Sequence, residues 1–198
     1  MKDHPGSATR TFLQDAARRY GFVLVPGRFN SGEHHWQSIW ERELPIWMRV
    51  VQRNWDDPDI HRLYGSLRRL IEQSSHRPVF LVGHSLGALA SCCLAVERPD
   101  LVAGVMLVAP AEPVKFYAED DVPVTALGVP STLVASHTDP FMHFHRAEYW
   151  ARVWGSELVD LGEAGHINVE SGFGTWNFGL DVLRTLVERT DALRSKVS

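Results

Sequence analysis

The sequence has few cysteines, no long apolar run and no excess of positive charge, and each shortage excludes a class of protein. Its two cysteines, Cys92 and Cys93, are neighbours, so they are poorly placed to form a disulfide or a zinc site. No apolar run reaches the ~18 residues of a membrane span. The formal net charge of -4 gives no support for a nucleic-acid partner. The first twenty residues are polar and unlike a secretory signal, so we expect a cytoplasmic protein without a membrane partner.

What remains is the composition of an ordinary globular domain, with 44% hydrophobic and 22% charged residues among 198. Short apolar runs alternate with longer amphipathic stretches. This pattern predicts an α/β fold, a mostly parallel sheet of about six strands with helices on both faces. The predicted strands cover residues 22–25, 47–52, 79–82, 102–108, 131–136 and 158–161, and the predicted helices 35–42, 59–73, 85–97, 141–154 and 180–193. We expect one domain over residues 21–198, preceded by an N-terminal extension over residues 1–20.

The strongest local signal is the run Gly83-His84-Ser85-Leu86-Gly87, which follows an apolar strand and precedes a helix. This context is typical of a nucleophile elbow, a sharp turn that projects a serine hydroxyl from the edge of the sheet. Glycine at both ends of the motif allows the strand and the helix to crowd together. The helix amino end favours developing negative charge. We therefore predict that Ser85 is a nucleophile.

A serine hydroxyl needs a base, and the base needs a carboxylate that orients it. In this kind of site the chain order is serine, acid, histidine. His166 follows the last predicted strand in a glycine-containing turn, and Asp139 follows the preceding strand. We predict that these two residues complete a triad with Ser85. Asp160 and Glu163 are competing acids, but neither lies at the end of a separate strand.

A tetrahedral intermediate also needs two N–H donors for its oxyanion. The backbone amide of Leu86, directly after the nucleophile, is one candidate. The other should come from the turn after the first strand, where Pro26-Gly27 is followed by Arg28 and Phe29. We assign the amide of Arg28, with that of Phe29 as a nearly equal alternative.

Several aromatic residues fall near the predicted loops and suggest an apolar acyl or aromatic pocket. They are Phe29, Trp36, Phe141, Phe173 and Trp176. Of these, Phe29, Trp36, Phe141 and Trp176 are our candidate substrate-binding residues.

A metal site is the alternative reading of the histidines around Asp139. With His137, His143 and His145, this residue forms the pattern His-x-Asp-x-x-x-His-x-His, and hydrolytic metal sites use such ligands. However, His143 and His145 are two positions apart on a predicted helix and should point to different faces. We therefore expect neither a metal nor another cofactor.

Four motifs together resemble a known family. The motifs are Val25-Pro26-Gly27 with His35-Trp36-Gln37, the elbow Gly83 to Gly87, the run Ala135 to Pro140, and Gly165-His166-Ile167-Asn168 continuing into Glu170 to Gly174 and Trp176. They resemble the small lidless α/β-hydrolases related to retinoblastoma-binding protein nine, which are serine hydrolases. The resemblance implies a compact fold without a lid and the same triad. The extension before the first strand and the segment 111–129 depart from the family pattern. No Leu-x-Cys-x-Glu motif is present, so binding to pocket proteins does not carry over.

The expected function is therefore a serine hydrolase of the esterase or amidase type. It would cleave a small acyl ester or amide through an acyl-enzyme on Ser85. A binding or scaffold protein that keeps the fold with little turnover is the alternative from another class, because fold does not fix function. A metal-dependent hydrolase is the third hypothesis.

Overall fold

The computed structural model describes residues 7–74 and 77–196, and these form an α/β fold around a six-stranded sheet. The strands are β1 (Gly21–Val25), β2 (Trp47–Arg49), β3 (Val79–His84), β4 (Val102–Val108), β5 (Ser131–Ala135) and β6 (Glu157–Asp160). Their order across the sheet is β2-β1-β3-β4-β5-β6, and every neighbouring pair is parallel. The predicted fold class is confirmed.

Helices cover both faces of the sheet. They are α1 (Ser7–Ala16), α2 (Trp36–Glu43), α3 (Ile60–Ser74), α4 (Leu86–Glu97), α5 (Phe144–Trp154) and α6 (Asn177–Arg194). One core lies between the sheet and α3, α4 and α5, and the other between the sheet and α1, α2 and α6. Asp59 accepts a hydrogen bond from the N–H of His61 at 2.8 Å and so caps α3.

The central strands explain why the sequence shows continuous apolar runs rather than alternation. Every residue of β3 and β4 is buried. Successive side chains point to opposite faces, so Val105 belongs to the first core and Met106 to the second. A parallel strand covered by helices on both sides has no polar face, which accounts for the pattern.

The N-terminal part of the chain contributes to the second core. Within the predicted extension, α1 packs on α6, and Leu13 and Ala16 are buried there. Thr9 donates a hydrogen bond to Asp181 of α6. Residues 1–6 of that extension lie outside the described residues.

The segment between β4 and β5 is mostly irregular and contains a single 3₁₀ turn, Pro113–Phe116. Over the described ranges no lid domain is inserted between the strands, as the sequence predicts. Among the described helices, none combines the length and apolar character that crossing a membrane requires.

Helix α5 begins three residues later than the sequence predicts. Pro140 directly precedes the predicted helix, and a proline often occupies the first position of a helix. Instead, the carboxylate of Asp139 accepts a hydrogen bond from the N–H of Phe141 at 2.8 Å, and a short turn follows. The helix starts at Phe144, after His143.

Candidate active site

Ser85 lies in the turn that joins β3 to α4, and its backbone is strained. Its φ is 54° and its ψ is -120°, a conformation that residues with a side chain rarely adopt. The two glycines of the motif make the turn possible. A Cβ at Gly83 would lie 2.6 Å from the carbonyl oxygen of Gly87, and a Cβ at Gly87 would overlap the carbonyl of Val25. The turn therefore has the geometry of a nucleophile elbow.

His166 and Asp139 meet at the carboxyl ends of the strands. Nδ1 of His166 lies 2.9 Å and 3.0 Å from the two carboxylate oxygens of Asp139. Both residues are buried, with 7% and 5% of their surface exposed. An ionised carboxylate only accepts, so Nδ1 carries the proton and Nε2 keeps a lone pair. This tautomer is the one that a general base requires.

A cavity of about 560 Å³ brings the predicted nucleophile and base together. Ser85 and His166 both line it, as do Arg28, Phe29 and Phe141. Phe116 also lines it and comes from the segment 111–129, for which the sequence offered no family pattern.

Asp160, the competing acid, is engaged elsewhere. Its carboxylate lies 2.8 Å from Nε2 of His137 and accepts the N–H of Gly162 at 2.7 Å. These hydrogen bonds lower the pKa of Asp160 from its ordinary value. The other competing acid, Glu163, is exposed. Asp139 is thus the carboxylate that the structure brings to His166.

Three hydroxyl groups hold the loop that carries His166, and sequence reasoning missed all three. Each accepts a hydrogen bond from a backbone N–H of that loop. The pairs are Ala164 with Ser136 at 2.9 Å, Gly165 with Thr138 at 3.0 Å, and His166 with Ser171 at 3.1 Å. Ser136 and Thr138 come shortly before Asp139 in sequence, so the same segment supplies the carboxylate and fixes the loop that carries His166.

His84, the second residue of the elbow, also holds this loop. Its Nε2 lies 2.9 Å from the backbone carbonyl oxygen of His166, and the two rings are 4.8 Å apart between centroids. A carbonyl only accepts, so Nε2 of His84 is protonated and donates. Burial lowers the pKa of His84 well below its ordinary value, which keeps the ring neutral. Its place inside the elbow was the only sequence signal for this role.

His35 is a second buried, neutral imidazole beside the site. Its Nδ1 accepts the N–H of Gln37 at 3.2 Å and so caps α2. Burial lowers its pKa to about 4, with smaller contributions from Arg49 and His166. Its ring centroid lies 4.9 Å from that of His84, and it lines the cavity. The sequence placed His35 in a family motif but gave it no role.

The turn after β1 packs directly against the elbow. A Cβ at Gly27 would lie 2.8 Å from the Cβ of Ser85, so the peptide that follows Gly27 lies beside the nucleophile. The N–H of Phe29 already donates to the carbonyl of Trp55 at 2.9 Å, which favours Arg28 as the oxyanion donor. Leu86 is the first residue of α4, and its N–H has no intrahelical partner.

The four candidate substrate-binding aromatics separate into two pairs. Phe29 and Phe141 line the cavity, and the ring of Phe141 lies 4.4 Å from that of His166. Trp36 and Trp176 lie in the second core, with 0% and 6% of their surface exposed, and their rings pack 5.2 Å apart. Contrary to the sequence prediction, these two indoles do not line the cavity.

Trp36 holds the loop that carries His166. Its Nε1 donates to the backbone carbonyl of Ile167 at 2.9 Å, next to His166. The indole therefore fixes the loop of the base instead of contacting a ligand.

The histidines around Asp139 do not converge on one point. His137 pairs with Asp160, whereas Asp139 pairs with His166. His143 precedes α5, and its ring stacks on that of His145 at 5.8 Å. Across residues 7–74 and 77–196, no group of three or more His, Cys, Asp or Glu side chains is arranged to hold a metal ion.

The parallel sheet with its strained serine between strand and helix defines an α/β-hydrolase. The family model described as "Serine hydrolase" matches residues 22–185, and the chain belongs to this family. The protein is thus a hydrolase, and the predicted serine-hydrolase family is confirmed. The sequence matches no curated protein.

Solved structures support the same class. A putative YdeN-like hydrolase from Pectobacterium atrosepticum is 46% identical, with a TM-score of 0.90 over 93% of this chain and 99% of its own. The ydeN gene product from B. subtilis is 19% identical, with a TM-score of 0.70 over 85% of this chain and 99% of its own. A serine hydrolase involved in carbazole degradation, the CarC enzyme, is 13% identical, with a TM-score of 0.66 over 85% of this chain and 91% of its own. The last two likenesses show the fold alone.

Proposed function

We propose that the protein is a serine esterase or amidase that cleaves a small acyl substrate through an acyl-enzyme on Ser85. One observation carries the proposal. The strained serine lines the same cavity as His166, and the Nδ1 of that histidine is held at 2.9 Å by a buried carboxylate. A base fixed in this tautomer next to a nucleophile elbow is the arrangement that activates a serine hydroxyl.

The reaction would follow from these positions. Nε2 of His166 takes the proton of the Ser85 hydroxyl as its oxygen attacks the carbonyl carbon. The backbone N–H groups of Leu86 and Arg28 donate to the oxyanion. The imidazolium, stabilised by Asp139, then returns the proton to the leaving alcohol or amine. Water, deprotonated by the same histidine, attacks the acyl-enzyme and releases the acid.

The cavity favours a small acyl group. Its volume of about 560 Å³ is moderate, and the rings of Phe29, Phe116 and Phe141 form an apolar part of its wall. The proposed reaction uses side chains and backbone amides of this chain, so no cofactor enters it.

A fluorophosphonate probe tests the proposal, because it reacts covalently with activated serines. We expect stoichiometric labelling of the peptide that contains Ser85, and neither labelling nor ester turnover in Ser85→Ala. The variant Ser195→Ala, which removes an exposed hydroxyl after α6, is the control and should label fully. A folded wild-type protein with no labelling and no turnover would contradict the proposal and favour a binding or scaffold role.

A further inference from the structure

The loop that joins β1 to α2, residues 26–35, contains a strained turn beside the nucleophile. The N–H of Asn30 donates to the carbonyl of Gly27 at 3.2 Å and closes this turn around Arg28 and Phe29. The φ angles of Phe29 and Asn30 are 69° and 64°. Left-handed backbone at two successive residues with side chains is unfavourable, so other contacts must hold it. The amide of Arg28, the proposed oxyanion donor, belongs to this turn.

The first half of the turn has its own anchors. Its first residue packs against the elbow. The N–H of Phe29 and the Nε of Arg28 donate to carbonyl groups of residues 55 and 56, both at 2.9 Å. These contacts do not reach the second half of the turn, where the chain leaves through Asn30.

Arg49, at the end of the edge strand β2, holds the second half. Its Nη2 donates to Oδ1 of Asn30 at 2.8 Å and to the carbonyl oxygen of Ser31 at 2.7 Å. The same Oδ1 accepts the N–H of Ser31 at 2.8 Å. One nitrogen of the guanidinium thus binds a side chain and a backbone carbonyl directly after the strained residues. The Arg49 side chain is only 13% exposed, and hydrogen bonds from a charged donor are strong in such surroundings.

The second nitrogen of the guanidinium fixes it to α2. Nη1 donates to Oγ of Ser38 at 2.8 Å and to the carboxylate of Glu41 at 2.9 Å. The hydroxyl of Ser38 donates in turn to the carbonyl of Ser31 at 2.7 Å. The planar fork of an arginine therefore connects β2, α2 and the strained turn, which the single ammonium group of a lysine cannot reproduce.

We propose that Arg49 is a positioning residue, which keeps the backbone N–H of Arg28 directed at the oxyanion. It acts through the strained turn and not on the reacting atoms. Without its hydrogen bonds, Phe29 and Asn30 are free to relax to negative φ, and the turn that contains the Arg28 amide changes shape. The loss concerns mainly the transition state, because the substrate oxygen becomes strongly charged only there. This inference rests on the proposed function.

Four single substitutions separate this role from a general loss of stability. Arg49→Met removes the four hydrogen bonds of the guanidinium, and Arg49→Lys keeps the charge without the fork. Asn30→Ala removes the acceptor on the loop, at an exposed position where folding is least affected. Glu41→Gln is the matched control, because it breaks the ion pair of the same guanidinium and leaves its contacts with the loop. Thermal melting shows whether each variant is folded.

The test measures kcat and KM for nitrophenyl butyrate and the inhibition constant of an alkyl trifluoromethyl ketone, which forms a tetrahedral adduct with an activated serine. We expect Arg49→Met to lower kcat by about a hundredfold with little change in KM, as for the loss of one oxyanion donor. Asn30→Ala should lower kcat by about tenfold, Arg49→Lys should lie between Arg49→Met and the wild type, and Glu41→Gln should match the wild type. The inhibition constant should rise by the factor by which kcat/KM falls. The pH dependence of kcat/KM should not move, because His166 and Asp139 are untouched.

The double variant Arg49→Met with Asn30→Ala shows whether the two residues act together. Its kcat should be no lower than that of Arg49→Met alone, because both changes release the same turn. Multiplied losses, a rise in KM at unchanged kcat, or a kcat of the wild type in Arg49→Met would overturn the role of Arg49 alone. If Arg49→Met does not fold, an unchanged kcat in Asn30→Ala has the same meaning. Absence of both fluorophosphonate labelling and turnover in the wild type would overturn the proposed function and this inference with it.

Discussion

The burial of His35 predicts that stability falls as the solution becomes acidic. The ordinary pKa of histidine is 6.5, and in the folded protein that of His35 is lowered to about 4. Between these values the unfolded chain binds the proton and the folded chain does not. The contribution of His35 to stability is therefore complete above the unfolded pKa. It is lost as the pH falls toward the folded pKa.

The size of the effect follows from the two pKa values. The whole difference is equivalent to about 3 kcal/mol, of which about 2.5 kcal/mol is lost between about pH 7.5 and about pH 4.5. His84 acts in the same direction, because burial lowers its pKa as well. The total fall in the wild type should therefore exceed the share of His35.

Urea denaturation of the wild type and of His35→Asn measures that share. The side-chain oxygen of asparagine can accept the N–H of Gln37 in place of Nδ1, so the variant keeps the cap of α2. It has no group that titrates at this position. Its free energy of unfolding should fall by about 2.5 kcal/mol less than that of the wild type over the same pH range. His61→Asn is the control for removing an imidazole. Parallel curves for the wild type and His35→Asn, separated by a constant amount, would refute the reasoning.

Substitutions at three further positions, each with a matched control, test the site and the elbow. His84→Ala should lower kcat by about tenfold with little change in KM, and His84→Gln should restore most of it; a change in KM alone would contradict a positioning role. Asp139→Asn should lower kcat by about four orders of magnitude, whereas Asp160→Asn should have little effect. The reverse result would assign the carboxylate of the triad to Asp160 instead of Asp139. Gly87→Ala should cost about 3 kcal/mol in urea denaturation, because its Cβ overlaps backbone, whereas Gly65→Ala in open space on α3 should not destabilise.

The features that the sequence predicts well are local in the chain. A strand buried on both faces is one continuous apolar run, so β3 and β4 were recognisable from their own residues. The elbow is likewise five consecutive residues between a strand and a helix. Chain order then narrowed the acid and the base to Asp139 and His166, because both follow strands whose carboxyl ends meet at one edge of the sheet.

The sequence did not allow us to predict how deeply a side chain is buried, or which residues far apart in the chain contact each other. Trp36 lies at the start of α2 and Trp176 directly before α6, but both are buried, and their rings pack 5.2 Å apart although they are distant in sequence. The hydroxyls of Ser136 and Thr138 bond to backbone groups more than 25 residues away. The rings of His35 and His84 contact each other although the residues are 49 positions apart in sequence. Neither local motif predicts this contact.

The start of α5 depends on two local features that favour different positions, a proline and a carboxylate. Pro140 is well suited to the first turn of a helix. The carboxylate of Asp139 instead ties down the N–H of Phe141 while it also accepts from His166. A residue that serves both a turn and the base displaces the helix start to Phe144.

Trapping the acyl group tests the central claim most directly. Wild-type protein mixed with nitrophenyl butyrate is quenched in acid within the first turnovers, digested and mapped by mass spectrometry. We predict a butyryl group on the peptide that contains Ser85, which disappears at later times as substrate is exhausted and is absent in Ser85→Ala. Turnover that persists in Ser85→Ala, with no acyl group on this peptide in the wild type, would contradict the account.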